Sequence, residues 1–443
     1  MSLTGLFVRR FGRRRLITGA ILAFAGFAVL CGLAQNVQIM VAFRLCQGLA
    51  GAFLIPLSQS ILFDAFPKER RGQAMALFGL GVVVAPALGP TLGALLTEYF
   101  SWRAVFYVNL PVAAFALMMM AGELPHEDVR RVHIDWLGLA LMVTAIGAVQ
   151  MVLDLGETRD WFASRLIQVA ALVALFAGTV FVARGWRMRD GIIDFALLRD
   201  RSFAAANATM LGFGLAMFGT IAVLPLFVQG LLGYPVVDAG LLFMPRGLAA
   251  GASMVLTGAV LMGRVDPRVL LVLGLCALGL GNLGLARLNL DAGFWDIALP
   301  GMVSGLGMGL FFVPMSTLAF QNVGRDRQDE ASGIYGVARS IGSSVGIAVV
   351  GWQVATRTQF HWSVLVQDIT PFRPEVAAWL APLGLSPTDP AAAAQLSGVI
   401  ARQAQMLAFQ DAFALTGWAA FAMLPFAALM QKPKTGAKAG MAH

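Results

Sequence analysis

Three arginines of this 443-residue chain, Arg44, Arg246 and Arg339, fall inside otherwise apolar stretches. An ionisable group at bilayer depth costs ~2.5–3.5 kcal/mol on insertion scales, so each is a candidate for function. Arg44 heads Arg44-Leu-Cys-Gln47-Gly48, and Gln47 lies close enough on a helix to share a cavity with it. A guanidinium there either sets the charge state of a neighbouring carboxylate and binds substrate, or neutralises a structural partner. Arg339, in Gly336-Val-Ala-Arg339-Ser-Ile-Gly342, carries the same two readings. Arg246 follows Pro245 and reads as a side chain that snorkels to an interface. Glu98, Asp154, Asp411 and Asp64 sit near the ends of apolar stretches, which suits capping or interfacial groups better than a proton carrier.

Other chemistry is excluded by what the chain lacks. His126, His133, His361 and His443 all fall at or beyond the ends of apolar segments, leaving no general base within them. Cys31, Cys46 and Cys276 are too scattered for a disulfide framework or a zinc cluster, so neither cofactor nor metal is expected. Of the four lysines, Lys68, Lys432, Lys434 and Lys438, none closes a phosphate-binding Gly-x-x-x-x-Gly-Lys loop, which argues against an ATP-driven pump. No His-Glu-x-x-His or Gly-x-Ser-x-Gly supports an intramembrane enzyme.

The elements that must position these residues are membrane helices. Hydrophobic residues make up 58% of the chain and charged ones 13%, and the mean hydropathy is +0.76. A water-soluble fold of that composition is ruled out. About 20 apolar residues are needed per crossing helix. Twelve stretches qualify, near 15–34, 37–63, 72–97, 103–121, 134–154, 165–184, 203–230, 238–263, 267–287, 294–322, 330–356 and 410–431. Basic residues test this layout. Arg9, Arg10, Arg13 to Arg15, Lys68, Arg70, Arg71, Arg130, Arg131, Arg184, Arg187, Arg189, Arg199, Arg201, Arg264, Arg268, Arg325, Arg327 and the tail lysines Lys432, Lys434 and Lys438 share one side. The other side has only Arg103, Arg159, Arg165, Arg287, Arg357, Arg373 and Arg402. By the positive-inside rule both termini are cytoplasmic. The formal charge of +8 then reflects orientation, and no nucleic-acid partner is expected.

The chain repeats itself. Gly48-Leu-Ala-Gly-Ala-Phe-Leu-Ile-Pro56-Leu-Ser is echoed by Gly305-Leu-Gly-Met-Gly-Leu-Phe-Phe-Val-Pro314-Met-Ser, and Gly12-Arg-Arg-Arg15 by Gly263-Arg-Val-Asp-Pro-Arg268. Parallel repeats of this kind build two bundles about an axis along the membrane normal. The second half has six spans and the first only four before the pair at 134–154 and 165–184. The expectation is that roughly 50 residues, one span and most of another, precede Met1 in a longer form, residues 1–8 being the tail of the lost second span. A short native form is the alternative. In the third span Gly81, Ala85, Gly89 and Gly93 recur every four residues, a groove for close helix approach, and Pro86 and Pro90 permit a bend. Gly301, Gly305 and Gly309 repeat that spacing in the tenth span.

The ordered set of motifs resembles the major facilitator superfamily, in particular its fourteen-helix drug:proton antiporter branch of the EmrB/QacA type. Gly5-Leu-Phe-Val-Arg-Arg10-Phe-Gly12-Arg13-Arg14-Arg15 is similar to that family's loop between its second and third helices, with Arg9 where an aspartate is usual. Arg44-Leu-Cys-Gln47-Gly48 resembles its fourth-helix motif, and Ala85-Pro86-Ala-Leu-Gly89-Pro90-Thr-Leu-Gly93-Ala94 its antiporter motif, with Ala94 replacing the final glycine. Trp102-Arg-Ala-Val-Phe-Tyr-Val-Asn109-Leu-Pro111 looks like the start of its sixth helix.

The resemblance implies an all-α polytopic membrane protein of the major facilitator fold, two bundles plus two extra central helices, lacking the first helix and most of the second. Residues 1–121 would be an incomplete N-terminal bundle, 122–202 a linker carrying the extra pair, 203–431 a six-helix bundle with a periplasmic insertion at 357–409, and 432–443 a cytoplasmic tail. It further implies a bacterial inner-membrane exporter that exchanges protons for amphipathic or hydrophobic drugs, with a periplasmic adaptor and an outer-membrane channel as partners. Arg44, Gln47 and Arg339 would serve proton coupling. Gly81, Pro86, Gly89, Pro90 and Gly93 would shape the bundle interface, and Gly5, Arg10, Gly12, Arg13 and Arg14 would gate the cytoplasmic side. The proton-carrying carboxylate is assigned to the lost N-terminal spans. A non-transporting relic and a carrier of another small organic substrate are the competing readings.

Overall fold

The computed structural model describes residues 4–66, 74, 77–79, 81, 85–120, 135–187, 195–324, 327–370 and 372–431. Among these, every regular element is helical. Backbone polar groups in lipid must be satisfied within the segment, and a helix does this. In chain order the elements begin with α1 (Thr4–Phe11), α2 (Arg13–Leu33), α3 (Val37–Ala65), α4 (Ala85–Tyr99), α5 (Ala104–Tyr107) and α6 (Asn109–Met120). The pair α7 (Trp136–Leu155) and α8 (Arg165–Arg187) follows. Then come α9 (Arg201–Pro225), α10 (Val236–Leu256), α11 (Pro267–Leu285), α12 (Phe294–Phe320), α13 (Gln328–Gln367), α14 (Pro374–Leu380) and α15 (Pro390–Ala422).

Among the described residues, ten helices are long and apolar enough to cross a membrane. The expected span at 103–121 is an apolar helix from Ala104 to Met120, interrupted by a turn at Val108. The expected span at 72–97 is described from Ala85 onward as α4, with much of its first part outside the described residues.

Local sequence sets the helix starts. Asn36 accepts from the Ile39 N–H at 2.8 Å, Asp135 from Gly138 at 3.0 Å and Asp200 from Phe203 at 2.8 Å. Each is an N-cap that satisfies one of the first free donors of its helix. At Asp266 the cap is followed by Pro267 at the first helical position, where its missing N–H costs nothing. Pro225 and Pro245 lie inside helices, and α9 and α10 both pass into π turns, at Leu226–Leu231 and Thr257–Leu261.

The segment 357–409 differs from the loop read from hydropathy. Helix α13 continues unbroken to Gln367, α15 begins at Pro390, and α14 caps the two on a small core of Val376, Leu380 and Ala392. Hydropathy measures the depth of lipid, and a helix can outrun it.

Helices α9 to α13 and α15 pack on one another around buried Phe203, Phe213, Phe311, Phe312, Phe320 and Tyr335. The Phe213 and Phe311 rings stack with centroids 3.9 Å apart, a contact worth ~0.5–1.5 kcal/mol beyond the area it buries. A smaller core of Val8, Ile17, Ile21, Leu57 and Ala113 joins α1, α2, α3 and α6. The two groups meet where α4 lies on α10 and where α1 and α3 lie on α13. Helices α7 and α8 form a peripheral hairpin, closed by Arg184 Nη2 on Asp135 Oδ1 at 3.2 Å. The hairpin packs on α13, where Ser344 Oγ donates to Gln150 Oε1 at 2.8 Å.

Candidate functional site

The geometry is built from two arginine environments, one on each side of the α4–α10 contact. In the first, α3 carries Arg44 and Gln47 one turn apart, and Arg44 Nη1 donates to Gln47 Oε1 at 3.1 Å. The Arg44 guanidinium lies 4.5 Å from the Phe106 ring centroid, supplied by α5. A cation over an aromatic face gains ~0.5–2 kcal/mol, more as water is excluded. Gln47 is buried, and Cys31 Sγ of α2 stands 4.0 Å from its Oε1. Gln47 therefore holds the arginine from below and Phe106 from the side. The remaining guanidinium donors are left to take an anionic or polar group.

The second environment lies in the larger core. Arg339 of α13 is almost buried, one turn from Tyr335, whose hydroxyl has no hydrogen-bond partner. The structure thus brings Arg44 to Gln47 but leaves Arg339 on another helix, with no hydrogen bond to either. Arg246 corrects the sequence reading. It does not snorkel: it is 4% exposed, and its Nη1 and Nη2 are buried without an acceptor. Small residues of α12 hold it there. The Arg246 carbonyl lies against Gly305, and a Cβ on Gly301 would stand 3.7 Å from the Arg246 Cβ. The stripe of Gly301, Gly305 and Gly309 was visible in the sequence, but its partner helix was not.

The motif in α4 behaves differently from its twin in α12. Among the described residues, a Cβ added at Gly89 or Gly93 of α4, or at Gly81 before it, would meet nothing within 4 Å. Pro86 and Pro90 lie within the described backbone of α4. Close approach to α10 is made instead by Thr91, whose Oγ1 donates to the Gly240 carbonyl at 2.6 Å. A Cβ at Gly240 would meet Thr91 Cα at 2.9 Å. At the other motif, Gly5 and Arg10 lie in α1, and Arg13 and Arg14 open α2. Gly12 joins the two helices at φ 79°, a left-handed conformation that glycine adopts without strain.

Two further clusters were not foreseen. Asp411 of α15 accepts His361 Nε2 of α13 at 2.9 Å and stands 3.5 Å from Arg357 Nε. Asp154 accepts Gln150 Nε2 at 3.0 Å, which extends the Ser344–Gln150 contact along α7. The pairs that join separate helices, His361 with Asp411 and Ser344 with Gln150, are too far apart in sequence to carry a spacing signal. Apolar grooves run along the hairpins. One of about 700 Å³ lies between α7 and α8, lined by Val143, Gly147, Met151, Val169 and Val173, with Arg165 at its edge.

Comparison with known proteins places this arrangement. The chain is 33% identical over 392 residues to the fatty acid resistance protein FarB of Neisseria gonorrhoeae, covering 87% of this chain and 77% of that one. It is 28% identical over 445 residues to the multidrug export protein EmrB of Escherichia coli K12, covering 97% and 86%. The solved proton:xylose symporter XylE superposes with a TM-score of 0.56 at 15% identity, over 96% of this chain and 81% of that one, a likeness of fold alone. The model of the Major Facilitator Superfamily matches residues 1–347, and with the helical layout and these transporter relatives, the chain is a multi-pass membrane protein that belongs to that superfamily.

Proposed function

We propose that this protein is a proton-coupled exporter of amphipathic or hydrophobic compounds that works by alternating access in a bacterial inner membrane. The observation that carries the reading is two packed helix groups that meet mainly along the α4–α10 crossing and the edge of α13, with Arg44 held on one side and Arg246 and Arg339 buried on the other. Relatives named for multidrug export and fatty acid resistance support the same substrate range. In this account residues 1–121 and 203–431 form the two lobes, and 122–202 carry the peripheral pair. The lobes rock about the α4–α10 contact and present a shared pocket to either face in turn. Arg44, steadied by Gln47, links proton uptake to substrate release, and Arg339 acts on the opposite wall. The α1–α2 turn at Gly12, with Arg10, Arg13 and Arg14, closes the cytoplasmic side.

The distribution of arginines between loops supports cytoplasmic termini. The helical extension at 357–409 then stands in the periplasm. Its exposed Phe372, Trp379 and Leu383 offer an apolar surface to an adaptor protein that leads on to an outer-membrane channel.

The test is transport by the purified chain in proteoliposomes with an imposed pH gradient. The reading expects movement of an amphipathic dye that stops when the gradient is collapsed by an ionophore. Dye movement that ignores the gradient, or none under any gradient, would remove proton-coupled export.

A further inference from the structure

Arg246 makes a stronger demand than any other buried group described. A guanidinium stays charged in proteins and carries five donors. Here both terminal nitrogens are buried with no acceptor. Leaving a charge uncompensated in a low-dielectric interior costs several kcal/mol. Among the described residues no buried carboxylate offsets it: the buried polar side chains include Arg246 and Arg339, but neither aspartate nor glutamate. The core is therefore a cationic environment with apolar walls. Leu242 and Phe243 sit one turn before Arg246 on the same helix, and Ile297 of α12 packs with them.

From this we infer that Arg246 is the headgroup site for an organic anion, and that the preferred substrates are single-chain amphipathic carboxylates. The inference rests on the export reading and gives it a substrate class. A carboxylate matches the guanidinium fork with two parallel N–H···O bonds, while the alkyl tail keeps to the apolar surroundings. Position supplies the route. Pro245, next in sequence, removes an N–H from the helix and weakens α10 at this turn. The same helix meets α4 at Gly240, so movement between the lobes bends α10 beside Arg246 and opens the guanidinium to the space between them. A hydrophobic cation gains nothing from this site and is repelled by it.

The test uses the full chain in nanodiscs with dansyl-undecanoic acid and its methyl ester as probes. Wild type should bind the acid more tightly than the ester. Arg246→Gln should weaken acid binding by about tenfold or more and leave the ester unchanged, the loss expected for one charge-assisted pair. Arg246→Lys, which keeps the charge without the fork, should retain part of the preference, and it serves as the readout if the glutamine variant does not fold. Equal binding of acid and ester by wild type, or undiminished acid binding by Arg246→Gln, would overturn the site. The two readings fail separately. Proton-driven efflux of a cationic dye with no acid preference defeats the carboxylate site and keeps export. Arg246-dependent acid binding without gradient-driven efflux of any compound keeps the site and defeats export.

Discussion

Arg44 has the most defined surroundings of the intramembrane arginines, and its role can be tested by removing its contacts one at a time. Arg44→Ala should abolish gradient-driven efflux in proteoliposomes while the protein still elutes as a monodisperse peak, because Gln47 remains buried and bonded near Cys31. Phe106→Leu should leave the Gln47 bond and remove the cation–π contact. A partial loss of rate follows, in keeping with an interaction of ~0.5–2 kcal/mol. Undiminished efflux by Arg44→Ala would take this residue out of the coupling. Arg44 and Gln47 were legible in sequence because their spacing alone puts both on one helical face. The direction of Arg246 was not legible. Its depth in an apolar stretch could be read, but whether it faced lipid or core depended on Gly301 and Gly305 of α12, which lie more than fifty residues further along the chain.

At the scale of the helix, two stripes of glycine with the same spacing have opposite surroundings, and this gives a direct comparison. A Cβ at Gly309 would meet Met254 N and Ser253 Oγ, each at 2.5 Å, where α12 crosses α10. Gly309→Val should therefore destabilise the protein by about 2–3 kcal/mol or prevent assembly, read as a lower melting temperature in detergent. Gly93→Ala, with open space around it, should leave the melting temperature unchanged. A melt in which both variants behave alike would contradict this packing.

The hairpin offers a further test. Gln150→Leu removes the hydrogen bond to Ser344 and should cost about 0.6 kcal/mol, and cysteines at positions 150 and 344 should cross-link efficiently with a short bifunctional reagent. Failure to cross-link would separate the hairpin from α13. Sequence patterning found these helices because lipid demands long apolar runs, whereas the caps at Asp135, Asp200 and Asp266 emerged only with the structure. It missed the helical reach of α13 and α15 beyond the membrane. Hydropathy falls there while helix-forming residues continue, and only tertiary contacts such as His361 with Asp411 fix the pair together.

For the whole molecule the account depends on relative motion of two lobes. Among the described residues the lobes meet at the α4–α10 crossing, at the edges of α13 and where Phe78 stacks on Phe312 with centroids 6.2 Å apart, so that Phe78 of the first lobe joins the apolar core of the second. Close-packed cores resist continuous deformation, so a small number of discrete arrangements is expected. The repeat of Gly48 to Pro56 by Gly305 to Pro314 was the sequence signal for two lobes. Their contact residues, Thr91 and Gly240, carried no such signal, since neither residue type is unusual in an apolar helix. The decisive measurement is the distance between spin labels at Gln35, after α2, and Val236, at the start of α10, with Cys31, Cys46 and Cys276 replaced. In nanodiscs, double electron–electron resonance should give two distance populations whose ratio shifts with pH and with added amphipathic carboxylate. A single distribution, unchanged at every pH with and without substrate, would contradict alternating access.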